Sequence, residues 1–241
     1  MKHRLFQKAH VLAEVRLFEG LSPTQLSEVT AVAQSVERES DSNFFSQGEE
    51  ASSVFVVADG RVKVSQVTPE GDQVVVRYAG SGEMFGCVPL YGGKEYPATA
   101  SAVTRSQAFA WDRIAMDHLM QRYPDIAIRA LEVLGEELAD LRARYQGLAT
   151  ERVERRIARA LLRLVSQAGE KVAAGVLIDF PLSRQDLGEL TGTTLHTVSR
   201  ILSGWEQKGI IESGRRRITI CRPQGLVCIA EDIDPEGTDW P

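Results

Sequence analysis

Apolar residues recur along the chain with periods that change from segment to segment, and each period predicts a different element. Near the start, Ser22-Pro23-x-Gln25 reads as a capping box with proline at the first helical position, and Leu26, Val29, Ala33 and Val36 follow at helical spacing. A short amphipathic helix is predicted there. From Val54 the stretch VFVVADGRVKVSQVTPEGDQVVVRY holds three β-branched runs, broken at Asp59-Gly60 and at Glu70-Gly71-Asp72, which predicts two consecutive hairpins. Further short runs at 98–103 and 108–111 follow, with Gly80, Gly82, Gly86, Gly92 and Gly93 between. Strands this short and frequent predict a small antiparallel barrel or roll.

After Trp111 the pattern turns helical, with Asp112 as a cap and Pro124 as a break before a longer helix. In that helix Ala127, Leu131, Leu134, Leu138, Leu141, Tyr145 and Leu148 alternate spacings of four and three, a heptad seam. With Leu131 at position a and Leu134 at d, Glu137 falls at g and Arg142 at the following e, so a parallel partner helix would set these opposite charges together. A parallel homodimer joined along those seven residues is predicted. From Thr150 another amphipathic helix runs through Val153, Ile157, Leu161 and Leu164, with Arg152, Arg155, Arg156, Arg159 and Arg163 on its other faces. A strand at 176–180 precedes two close helical patterns, SRQDLGELTG and TTLHTVSRILSGWEQKG, joined by a glycine-containing turn. That is the layout of a helix-turn-helix, with Ser183 and Asp186 as a capping box. IIESGRRRITI then reads as two strands around Ser213-Gly214, a wing.

The predicted class is α+β, in four parts. Residues 1–112 form a sensor roll with flanking helices, 113–149 a long dimerisation helix, 150–230 a winged-helix DNA-binding domain and 231–241 a disordered acidic tail. A chain of 241 residues suits two domains, and 43% hydrophobic with 25% charged residues is an ordinary globular composition. No run approaches the ~18 apolar residues of a membrane span, and MKHRLFQKAH lacks a signal-peptide core. Three cysteines without C-x-x-C spacing exclude a disulfide framework and most zinc sites, and no metal site is expected; a reducing cytoplasm fits.

Charge adds a direction. The chain is −5 overall, yet residues 151–230 hold 13 basic and 8 acidic side chains, net +5, which points to a polyanionic partner. In the second helix of the pair, Val198, Ile201, Leu202 and Trp205 make a packing face, which leaves His196, Thr197, Ser199, Arg200 and Ser203 on the other side, able to reach a major groove. The arginine fork suits the two acceptors of a guanine edge. Leu195 fits either face. No catalytic constellation stands out: G-x-S-x-G, H-E-x-x-H and the P-loop are absent, and Gly80-x-Gly82 reaches Gly86 one residue too late for a dinucleotide fingerprint. An enzyme is not expected, and Met116 and Met120 read as helix packing.

Over roughly residues 15–222, the order of parts resembles the CRP/FNR superfamily of bacterial transcription regulators. The resemblance rests on the β-roll with its GEMFG turn, the long helix, ERRIARALL and LSRQDLGELTGTTLHTVSRIL. It implies a cyclic-nucleotide-binding-type roll, a double-stranded β-helix, with a symmetric double-stranded DNA site, RNA polymerase and an unidentified small-molecule or redox signal as partners. It also implies that Arg200 contacts a guanine while Leu195, His196 and Ser199 face the bases. Ser183, Arg184, Gln185, Thr194 and Thr197 would hold phosphates, joined by the wing residues Arg215, Arg216 and Arg217. His196 stands where many relatives carry glutamate.

The effector pocket of the resemblance falls on GEMFGCVPLYGGKEYPATASAV, at Glu83, Phe85, Gly86, Cys87 and Val88, then Lys94, Tyr96, Pro97, Ala98 and Thr99. Relatives that bind cyclic AMP use a glutamate, an arginine and a serine where this chain has Cys87, Tyr96 and Pro97. Tyrosine carries no charge and proline no N–H, so a cyclic nucleotide is disfavoured, with Lys94 as a compensating point charge. An iron–sulfur cluster is disfavoured because Cys87, Cys221 and Cys228 are too few and wrongly placed. YPATA is similar to relatives that respond to nitric oxide through haem, which keeps haem open although His3, His10 and His118 are isolated. Two other readings stand beside DNA-dependent regulation: a winged helix that contacts protein, and a constitutive DNA binder with no effector.

Overall fold

The computed structural model describes residues 12–13 and 15–233. The chain divides into two compact units, Met1–Leu141 and Arg142–Pro241, and the division falls inside a helix.

In the first unit, helix α1 (Pro23–Ala31) opens with the predicted capping box: Ser22 Oγ accepts from Gln25 N, and Gln25 answers to Ser22 N. The helix ends before Ala33, and Val36 lies on a strand instead. Eight strands follow: β1 (Gln34–Arg38), β2 (Asn43–Phe45), β3 (Ser53–Asp59), β4 (Val62–Val67), β5 (Gln73–Ala79), β6 (Met84–Phe85), β7 (Thr99–Ala102) and β8 (Ser106–Asp112). They form two antiparallel sheets, in the orders β1-β8-β3-β6 and β2-β7-β4-β5. Of the two predicted hairpins only β4–β5 forms. β3 has β8 and β6 as its neighbours, so at Gly60 the chain crosses to the opposite sheet. Gly60 has φ 88°, and a Cβ there would stand 2.4 Å from Ser106 Oγ, so the crossing requires glycine.

The run VFVV on β3 is buried on both faces. Val54 and Val56 pack with Phe18, Val29, Trp111, Met116 and Ile126 beneath the helices, whereas Phe55 and Val57 face Phe44, Phe45, Phe85 and Tyr96 between the sheets. Trp111 anchors the helical side by donating from Nε1 to Val29 O at 3.0 Å. Helix α2 (Arg113–Arg122) begins on the predicted cap, with Asp112 Oδ1 accepting from Ala115 N at 2.7 Å. Helix α3 (Pro124–Thr150) is 27 residues long. Its Ile126 and Ala130 are buried in the core beneath the helices, and Leu134 packs partly against it.

In the second unit, α4 (Val153–Ala168) buries Ile157, Ala158, Ala160, Leu161 and Leu164. The strand predicted at 176–180 is a hairpin, β9 (Gly169–Val172) with β10 (Gly175–Ile178). The helix pair is α5 (Arg184–Thr191) and α6 (Leu195–Gln207), and the wing is β11 (Ile211–Gly214) with β12 (Arg217–Ile220). The wing turn sits at Arg215-Arg216 rather than Ser213-Gly214, because Ser213 and Gly214 pair with Ile218 and Arg217 in the ladder. A last helix, α7 (Pro223–Glu231), follows, so the predicted acidic tail begins as a helix end at Glu231; residues 234–241 lie outside the described residues. No helix among the described residues is long and apolar enough to cross a membrane.

Candidate nucleic-acid interface and sensor cassette

Helix α6 is amphipathic by construction. Val198, Leu202 and Trp205 are fully buried, and Trp205 Nε1 donates to Glu154 at 2.8 Å, which fixes the rotation of the helix. The rotation leaves His196 and Arg200 exposed, Leu195 40% exposed, and Thr197, Ser199 and Ser203 half-buried. Leu195, open to either face by spacing, therefore lies on the surface beside His196. Thr194 is the N-cap, accepting from Thr197 N at 3.2 Å, and the two threonine hydroxyls are 3.1 Å apart. α5 starts on the predicted box: Ser183 accepts from Asp186 N at 3.0 Å, and its hydroxyl hydrogen-bonds the Asp186 carboxylate. Capping orients two helix starts whose free N–H groups and positive dipole ends suit phosphate oxygens. Gln185 is exposed and donates to Glu189 at 2.9 Å. Arg184 is half-buried and bonded to Ser213 and Glu206. Arg215, Arg216 and Arg217 are all exposed at the wing, and Arg216 has φ 58°.

The arginines of α4 behave differently from their expected role on a basic surface. Arg156 donates to the carbonyls of Thr191, Glu151 and Gly192 at 3.1, 3.0 and 3.4 Å, so it caps the end of α5. Arg155 and Arg159 both donate to Ala230 O, at 3.1 and 3.2 Å, and cap α7. These cations neutralise helix C-termini. The excess positive charge of this unit therefore overstates what is free to meet a polyanion.

In the sensor unit the cassette residues separate. Phe85, Val88 and Tyr96 join the aromatic cluster between the sheets, and Gly86 lies against it, where a Cβ would stand 2.9 Å from the Phe45 ring. Tyr96 stacks on Phe45 with centroids 3.7 Å apart, and Phe55 stacks on Phe85 at 5.0 Å. The Tyr96 hydroxyl donates to Ser53 O at 2.6 Å and accepts from Ser53 N at 3.0 Å, and burial raises its pKa above the usual phenol range. Cys87 lies in the other core, beneath the helices, where burial, reinforced by Glu137, pushes its thiol up to about 12. Glu83 accepts from Gly80 N at 2.8 Å, Ala98 is buried, and Thr99 Oγ1 accepts from Gln47 N at 3.0 Å. Lys94 and Pro97 are exposed.

The residues present do not fit a cyclic phosphate: a stacked tyrosine stands where a guanidinium is required, and the cassette's cation faces out. Among the described residues no histidine belongs to the cassette, so none there offers an imidazole to haem iron. His118 is exposed on α2 and His196 on α6, while His3 and His10 lie outside the described residues. Phe44, Phe45 and Phe55 are absent from the pocket expected from sequence. The adjacent pair Phe44-Phe45, one aromatic more than a one-sided strand needs, was the available signal. Arg77 was missed as well: its guanidinium hydrogen-bonds Met84 O on β6 and pairs with Glu137 of α3 at 3.1 Å.

The seam residues of α3 also separate. Leu131, Leu138, Leu141, Tyr145 and Leu148 are 71, 50, 60, 73 and 54% exposed, Ala127 is half-buried, and Leu134 leans on the core.

A roll of two four-stranded sheets, a long helix and a winged helix-turn-helix are the parts of a transcription regulator with a helix-turn-helix DNA-binding domain. Residues 35–123 match the family model described as cyclic nucleotide-binding domain, and residues 155–229 match the Crp-like helix-turn-helix domain, together more than half of the chain. A CRP-like cAMP-activated global transcriptional regulator of Mycobacterium tuberculosis is 23% identical over 90% of this chain and 96% of its own length. The transcriptional activator protein FnrA of Stutzerimonas stutzeri is 25% identical over 77% of this chain and 76% of its own. The solved structure of FixK2 from Bradyrhizobium japonicum is 25% identical, covers 82% of this chain and 97% of its own, and has a TM-score of 0.73. The chain belongs to the CRP/FNR superfamily of transcription regulators. The relatives it resembles are regulators rather than enzymes.

Proposed function

We propose that the chain works as a parallel homodimer that binds a two-fold symmetric DNA site and recruits or obstructs RNA polymerase in the cytoplasm. The observation that carries this reading is the exposed row Leu195, His196, Arg200 on a helix whose opposite face is buried. Arg200 reads a guanine, and Leu195, His196 and Ser199 meet neighbouring base edges. The starts of α5 and α6, at Ser183, Gln185, Thr194 and Thr197, with Arg215, Arg216 and Arg217 of the wing, meet phosphates. The open apolar stripe of α3 supports the dimer, which would set the two reader helices ~34 Å apart, one turn of duplex.

The division of the chain follows from that role: sensor roll over 1–112, reader over 150–230, and between them 113–149, which is two helices rather than the single one expected, with the dimer seam on α3 alone. The cAMP-activated relative's ligand is not carried over, because Tyr96, where the resemblance expects an arginine, is buried and stacked on Phe45 in an aromatic interior. A thiol redox signal at Cys87 is disfavoured too, since a thiol with its pKa near 12 is almost wholly protonated at neutral pH. Constitutive DNA binding is the second reading, favoured by that aromatic interior. Selection of bound duplexes from a random pool, with and without cell extract, tests both. A palindromic consensus supports the dimer on DNA, enrichment only with extract supports an effector, and failure to enrich any sequence refutes sequence-specific binding.

A further inference from the structure

Arg184 and Glu206 are each placed against the field of their own helix. Arg184 is the first residue of α5, where the dipole repels cations, and Glu206 lies in the last turn of α6, where it repels anions. They meet each other instead: Arg184 Nη2 lies 3.5 Å from Glu206 Oε1. The same Nη2 donates to Ser213 Oγ on β11 at 2.8 Å, and Ser213 Oγ in turn donates to the same Glu206 oxygen. A second tether runs alongside, with Leu182 N donating to Arg216 O at the wing tip at 3.0 Å. Three elements, the start of α5, the end of α6 and the first wing strand, thus close on one carboxylate oxygen.

We infer that Arg184 is a positioning residue that locks the wing to the reader helix, not a phosphate ligand. The lock sets how far the arginines of the wing turn stand from the bases read by Arg200, and so fixes the spacing between core and flank contacts in each half-site. Its purpose rests on the proposed DNA binding; its geometry does not.

The test uses full-length protein, as wild type, Arg184→Ala, Glu206→Gln, the double variant and the charge swap R184E/E206R. Without DNA, amide exchange of residues 214–219 should quicken about fivefold in each single variant, no further in the double, and slow again in the swap. On a selected duplex both single variants should bind about fivefold more weakly, with the slope of log affinity against log salt unchanged, and the swap should recover. If Arg184→Ala lowers that slope by about one while Glu206→Gln leaves it alone, Arg184 is a phosphate ligand and the lock is refuted. Should the arginine variants fail to fold, Ser213→Ala serves: faster exchange at the wing supports the lock, and unchanged exchange overturns it. Wild type that binds no duplex defeats the proposed function, while the exchange measurement still decides the lock.

Discussion

Truncation of Leu141 on α3 tests the dimer quantitatively. Leu141 is 60% exposed in the single chain, and full burial of a leucine is worth ~1.5–3 kcal/mol. The surface still available is therefore worth roughly 1–2 kcal/mol when a partner helix covers it. Alanine keeps only the Cβ, so Leu141→Ala forfeits most of this, and symmetry doubles it to about 2–3 kcal/mol per dimer. The dimer dissociation constant should rise about 30- to 150-fold. Alanine is at least as good a helix former as leucine, and the side chain lies outside the core, so the folding stability of the monomer should shift by under ~0.5 kcal/mol. Sedimentation velocity over a nanomolar-to-micromolar dilution series reads the dissociation constant, and denaturant titration of the dissociated chain reads the stability. A variant that dimerises like wild type, or a wild type that stays monomeric at tens of micromolar, would refute the seam.

Other consequences are more local. Tyr96→Phe keeps the stack on Phe45 but strips both partners from Ser53, and should cost ~1–3 kcal/mol in urea unfolding, with no gain of cyclic AMP binding in calorimetry. Gly192→Ala places a side chain at φ 63°, so the unfolding free energy should fall by ~1 kcal/mol and the melting temperature with it, while Leu148 Cδ2, 2.8 Å from the added Cβ, is a side-chain end that can turn aside. Cys87 has a folded pKa of about 12 against 9.0 for a free thiol. Below pH ~9 both states hold the proton; above it only the unfolded chain releases it. Stability should therefore decline between pH 9 and 12, and decline less steeply in Cys87→Ala, as read by urea midpoints.

Local chemistry is what the sequence states most plainly. The caps at Ser22, Asp112 and Ser183 need only residues within one turn, and all three form as spaced. The buried face of α6 likewise follows from the 3.6 period. What escapes is pairing at a distance. Asp59-Gly60 carries a hairpin signature, yet β3 pairs with β8 and β6, and the glycine is explained by its φ of 88° together with the closeness of Ser106. Arg155, Arg156 and Arg159 look like solvated cations until the ends of α5 and α7, up to 75 residues away, supply the carbonyls they cap. Helix α7 carries a proline at its start, a local signal, but its short apolar run PQGLVCIAE has no strong period. Tyr96 reads as a missing arginine in sequence, and only the fold shows its ring against Phe45.

Under the proposed function, a pair of reader helices grips duplex DNA through Arg200. Affinity for a selected palindrome, measured from low to moderate salt with wild type and Arg200→Ala, tests it most directly. Log affinity should fall linearly with log salt, and the variant should lose ~1–3 kcal/mol per half-site together with the preference for one base pair. An Arg200→Ala protein that binds as tightly and as selectively as wild type would contradict it.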